Sequence, residues 1–226
     1  MKLKAAIRYQ AVELVQCAAA LCLIIGAVVG AVLLFAAVEG AYFMMPGMGA
    51  LPYAVMPMLV ISTFAGDVRF LMHMGLARRQ VLASATASLA AACLFLAAVE
   101  AACSALVPFW PHTQSLFLIG YGAENGPALD FLFLFLGCAA TSAVGLAFAA
   151  LRMRFGSRRA ALGLIVLAAA ALLALQVDAP AFIGAVSWLF GFGPGASPAN
   201  PFLLFAAVAA LGVAVAWAAL RRVEVR

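Results

Sequence analysis

Residues 14–38 form one apolar run of 25 residues with no lysine, arginine, aspartate or glutamate inside it. A run of that length matches the ~20 residues a helix needs to cross a hydrocarbon core of ~30 Å. Further apolar runs follow at 47–65, 81–103, 131–151, 160–176 and 202–220. Six such segments constrain the chain more than any single motif does. The expected fold is all-α: a polytopic membrane protein with six transmembrane helices, treated as one transmembrane domain over residues 1–226. Apolar residues make up 68% of the chain and charged residues only 9%, far from the balance of a soluble globule. The longest stretch between runs is too short and too apolar for a soluble domain, so nucleotide hydrolysis or an extracellular receptor domain is expected in another chain.

The net charge of +5 does not point to nucleic acid, because the thirteen lysines and arginines fall in four short clusters. These are Lys2, Lys4 and Arg8; Arg69, Arg78 and Arg79; Arg152, Arg154, Arg158 and Arg159; and Arg221, Arg222 and Arg226. With six spans, all four clusters fall on one side, which the positive-inside rule makes cytoplasmic, with both termini there. The other side carries Glu39, His112, Glu124, Asp130 and Asp178. The first run is too long for a signal-peptide core and is expected to be a retained span.

Local breaks shape the expected spans. Pro46, Pro52 and Pro57 predict a bent or broken second helix. Residues 179–192 are too short to cross and end in a glycine- and proline-rich stretch, which predicts a re-entrant or surface-lying segment. Asn200 followed by Pro201 predicts an amide N-cap with proline at the first helical position. The five cysteines, Cys17, Cys22, Cys93, Cys103 and Cys138, lie in apolar runs without metal-binding spacing and read as small buried hydrophobes. The pairs Gly26/Gly30 and Gly145/Ala149 read as packing positions.

Catalytic chemistry has little to work with. His73 and His112 are expected on opposite sides of the membrane, no phosphate-binding loop is present, and the glycines 191, 193 and 195 read as a flexible loop. No catalytic residue, metal ligand or cofactor site is assigned. Glu100 is the one carboxylate inside a span. At ~1.5 Å per residue it lies about 29 Å along the third helix, so it is expected to reach the outer headgroup region as an outer-edge polar site.

Residues 66–80, GDVRFLMHMGLARRQ, are the most informative. Asp67 is placed to cap a short helix with Phe70, Leu71 and Met74 on one side and Arg69 and His73 on another, ended by Gly75. Leu76, Ala77, Arg78 and Arg79 then lead into the third span. Such a helix suits either lipid headgroups or a protein groove. FLMHMGLARRQ before an apolar span, with LRMRFGSRRAALGLIV later, resembles the membrane subunit of bacterial type 2 ATP-binding cassette (ABC) exporters.

That resemblance implies three features beyond the spans. The first is an N-terminal interfacial helix over residues 1–13, with Leu3, Ile7 and Ala11 on one face. The second is a short cytoplasmic coupling helix over 66–80, docking Phe70, Leu71, His73, Met74, Gly75, Leu76, Arg78 and Arg79 onto a separate ABC ATPase. The third is a re-entrant outer element over 179–199. It also implies a homodimer or a similar permease partner in a bacterial plasma membrane, and no cofactor. The residues alone leave open a substrate-capturing subunit of a vitamin importer and a non-transporting immunity or scaffold protein.

Overall fold

The computed structural model describes residues 2–39, 50–105, 116–121 and 126–223. Pro46, His112, Glu124 and Arg226 lie outside the described residues, as do the side chains of Lys2, Glu39 and Cys103. Among the described residues every regular element is a helix: α1 (Lys2–Glu39), α2 (Ala50–His73), α3 (Arg78–Ala105), α4 (Leu116–Tyr121), α5 (Gly126–Phe155), α6 (Ser157–Val177), α7 (Ala179–Leu189) and α8 (Asn200–Leu220). Six of them are long and apolar enough to cross a membrane, over Leu3–Val28, Pro52–His73, Arg78–Ala102, Ala128–Phe155, Ser157–Val177 and Asn200–Leu220. The chain is therefore compatible with a multi-pass membrane protein.

The centre of the bundle is α5, which packs against α8, α2 and α3, while α1 packs on α3. Small residues make these contacts close. A Cβ added at Gly145 would sit 2.8 Å from the Cα of Pro57, and one at Gly212 would sit 2.7 Å from the carbonyl of Ala143. Glycine at these two points lets α2 and α8 lie backbone-close to α5. A Cβ added at Gly26 or Gly30 would meet nothing within 4 Å among the described residues, so that spacing makes no close helix contact among them. The buried side chains of α2, Met56, Val60, Phe64, Val68 and Leu71, recur at helical spacing and form one stripe. By contrast, α6 has no buried residue.

Several sequence expectations change. The N-terminal segment is not a separate interfacial helix: α1 is continuous for 38 residues, rising ~57 Å, nearly twice a ~30 Å core. No glycine or proline precedes Gly26, so nothing in the sequence breaks the helix there. Its buried face is Ala6, Gln10, Leu14 and Ala18, not the half-buried Leu3, Ile7 and Ala11. Residues 66–73 are likewise not a separate helix but the last two turns of α2, which runs unbroken through Pro52 and Pro57. Gly66 has no positive φ, so the chain has no reason to turn before Gly75.

The remaining differences are local. The helix α5 begins at Gly126 and its apolar span at Ala128, earlier than expected, preceded by the short α4. Asn200 does not cap α8. The N-cap position is Ala199, with no side-chain cap bond, and the Asn200 Nδ2 donates instead to the Trp188 carbonyl at 2.9 Å. Asp178 caps α7 by accepting from the Ala181 N–H at 3.0 Å. The 11 residues of α7 are too few to cross a bilayer as a helix. Cys93 and Cys138 are buried, but Cys17 is exposed.

Candidate coupling surface at the basic end of the bundle

Two hydrogen bonds tie three of the four basic clusters together, the N-terminal one, the one around the α2–α3 turn and the one after α8. Gln10 Nε2 near the start of α1 donates to Asp67 Oδ2 near the end of α2, at 2.9 Å. Arg78 Nη1 at the start of α3 donates to the Arg221 carbonyl after α8, at 2.6 Å. A third tie, from Ser88 Oγ to the Ile7 carbonyl at 3.2 Å, fixes α1 on α3.

The turn between α2 and α3 is rigid for identifiable reasons. Gly75 has φ 80°, the left-handed conformation that a residue without Cβ adopts most readily. Its N–H donates to the Met72 carbonyl at 2.9 Å, and the Leu76 N–H donates to the Leu71 carbonyl at 3.1 Å. This is the Schellman pattern, with Leu71 and Leu76 as its two hydrophobic positions, 3% and 7% exposed. On the other side the Gln80 side chain reaches back to accept the Ala77 N–H at 3.0 Å, one half of a capping box for α3.

With Leu71 and Leu76 turned inward, the outward positions are apolar too: Phe70 is 51% exposed and Met74 58%. Arg69, His73 and Arg79 are exposed beside them. Of the eight residues assigned from sequence, five (Phe70, His73, Met74, Gly75 and Arg79) are exposed and Arg78 is partly so. Leu71 and Leu76 are structural. Tyr9 of α1 joins the exposed group, its ring 5.8 Å from that of Phe70. Sequence reading missed it, although the spacing of Ala6, Gln10, Leu14 and Ala18 marks the face of α1 that packs inward and so the side on which Tyr9 is left exposed.

Asp67 does not act as a helix cap. It sits within α2, and its carboxylate is engaged by Gln10 across the helix pair.

At the opposite end, Glu100 is buried, at 8% exposure, rather than reaching headgroups. Asp130, expected on the outer surface, is also buried, at 0%. The Tyr53 ring occupies the space beside Gly137, where a Cβ would lie 2.3 Å from it. Nearby, Phe117, Tyr121, Phe133, Phe192, Phe202 and Phe205 form a linked aromatic cluster with centroid spacings from 4.9 to 6.4 Å. The Tyr121 hydroxyl donates to the Phe190 carbonyl, and burial pushes its pKa up. Among the described residues no group of three or more His, Cys, Asp or Glu side chains could hold a metal ion.

Comparison with protein-family models, curated proteins and solved structures finds no match to this chain.

Proposed function

We propose that the chain is the transmembrane permease subunit of a bacterial type 2 ABC exporter, powered by a separate cytoplasmic ATPase. It acts as a homodimer or beside a similar permease subunit, in the plasma membrane, with its basic end and both termini in the cytoplasm. The observation that carries this reading is the exposed pair Phe70, at the end of α2, and Met74, on the locked turn that follows between two packed apolar helices. A large apolar side chain held outward on a rigid turn, with arginines around it, is suited to fill a groove in a partner and to pass on a push.

The ties described above give that push a route. Movement of the Gly75 turn bears directly on α2 and α3, reaches α1 through Gln10 and Asp67, and reaches α8 through Arg78 and Arg221. Rigid-body tilting of these helices around α5 would alternate access between the two sides. The substrate in this reading is amphipathic or lipid-like, because the spans carry few charges that would pair with a strongly ionic one.

The test is purification of the tagged full chain from its native membrane in mild detergent. Stoichiometric recovery of an ABC ATPase, with the ATP hydrolysis of the eluate residing in that subunit, supports the reading. A chain that purifies alone and still performs its cellular role removes it. A tightly bound small molecule on that lone chain would favour the importer alternative.

A further inference from the structure

Gln10 is a polar side chain on the buried face of α1, 2% exposed, between Ala6 and Leu14. Its Nε2 donates to Asp67 Oδ2 at 2.9 Å. Its Oε1 is buried with no hydrogen-bond partner among the described residues. Among the described residues, the cavity beside the pair is lined by Leu14, Val60, Phe64, Ala85, Leu89 and Leu146, and by Thr63, whose hydroxyl donates to the Leu59 carbonyl at 3.0 Å.

An ionised carboxylate only accepts, and an amide oxygen only accepts. With Asp67 ionised, the pair therefore makes one bond and leaves a buried acceptor unmet, which is costly. With Asp67 protonated, the acid gains a donor beside that acceptor. Its O–H donates to Gln10 Oε1 while Gln10 Nε2 donates to the other carboxyl oxygen, closing a two-point acid–amide ring. The geometry points to Gln10 and Asp67 as a proton-dependent clasp between α1 and α2, closed by two bonds when Asp67 carries a proton and held by one when it does not. The proton comes from, and returns to, solvent at the basic end.

Other titratable groups do not substitute for Asp67. From α1, Tyr9 and Glu13 act on one another, Tyr9 also feels Asp67, and Arg8 lies beside them. On α2 itself Arg69 and His73 are nearby and exposed. α3 and α5 present only Ala85, Leu89 and Leu146 to the pocket. A state with more bonds when protonated is favoured as pH falls and weakens as pH rises through the titration of Asp67. If the basic end docks an ATPase as proposed above, the clasp regulates that surface: Tyr9 adjoins Gln10 and Phe70 follows Asp67 by three residues, so closure keeps the two rings together.

Nitroxide labels at Val12→Cys and Ser62→Cys, both exposed positions, report the α1–α2 spacing of the full chain in lipid nanodiscs once the native cysteines are replaced. The wild-type sequence should shift toward the short distance as pH falls from about 8 to about 3, a range that includes the ordinary aspartate titration at about 3.9. The open-to-closed ratio should change by up to about tenfold per pH unit. Asp67→Asn supplies donor and acceptor without titrating and should stay closed at both pH values, whereas Asp67→Leu should stay open at both. A wild-type distance that ignores pH, or an Asp67→Asn chain that opens, overturns the clasp. Infrared difference spectra of wild type against Asp67→Asn give an independent reading: a protonated-carboxyl band that titrates supports the clasp, and its absence at low pH overturns it. Neither readout includes an ATPase, so failure of the clasp is distinguishable from failure of the docking assignment.

Discussion

The ring of Tyr9 on α1 lies 5.8 Å from the ring of Phe70 on α2, tilted by 39°, with both side chains about half exposed. The apolar surface at the basic end thus spans two helices that are 61 residues apart in sequence. Tyr9→Ala should weaken association with the ATPase measurably but less than truncation of Phe70 and Met74 together. Titration of the reconstituted chain with the ATPase of the proposed complex, at matched protein levels, reads this. Unchanged affinity would confine the docking surface to α2 and the turn.

Close packing on α5 makes a second prediction. Gly145→Val and Gly212→Val force side chains into the Pro57 and Ala143 backbones and should destabilise the bundle by about 1 to 3 kcal/mol each. Gly26→Ala, with open space around it, should be close to neutral. Thermal unfolding in detergent gives the comparison.

Charge position is checked by chemical labelling. In a chain without native cysteines, Glu100→Cys should be shielded from an impermeant thiol reagent even in opened membranes, because it faces the bundle. Ala102→Cys, on an exposed position of the same helix, should react faster under the same conditions. In intact cells Asp178→Cys should label, while Arg154→Cys and Arg222→Cys should label only after the membrane is opened. Labelling at Arg154 from outside would remove the orientation on which the coupling surface depends.

Hydrophobic length made the six long helices legible from the sequence, since an apolar run of about 20 residues has few other uses. Helix breaks were less legible. Asp67 followed by an amphipathic stretch has the look of a cap, yet the residue that engages its side chain, Gln10, is 57 positions away. Pro57 has the look of a break, yet glycine at 145 lets α5 support the helix at that point. Gly75 was readable because a left-handed turn is a local matter of backbone sterics. Burial of Glu100 and Asp130 was not, because which side of a helix faces its neighbours depends on partners that a single sequence does not place.

The arginines of the turn differ in role. Arg78 donates to the Arg221 carbonyl, while Arg79 is exposed and makes no such bond among the described residues. Arg78→Ala should speed amide hydrogen exchange in the last turn of α8 and residues 221–223, and Arg79→Ala should leave it unchanged. Equal effects would mean that the tie between α3 and α8 adds no local stability.

The central claim is that Phe70 and Met74 anchor an ATPase. Truncating a buried aromatic anchor at an interface commonly costs about 2 kcal/mol or more, about thirtyfold in affinity. The direct measurement is recovery of the ATPase by Phe70→Ala/Met74→Ala, compared with Arg69→Ala/Arg79→Ala, at matched membrane levels. The account predicts loss of the ATPase and of transport in the first variant. It predicts retained ATPase binding in the second, whose arginines are left to meet lipid headgroups. Normal recovery of the ATPase by the Phe70 and Met74 variant would contradict the account and leave the turn as a lipid-facing anchor.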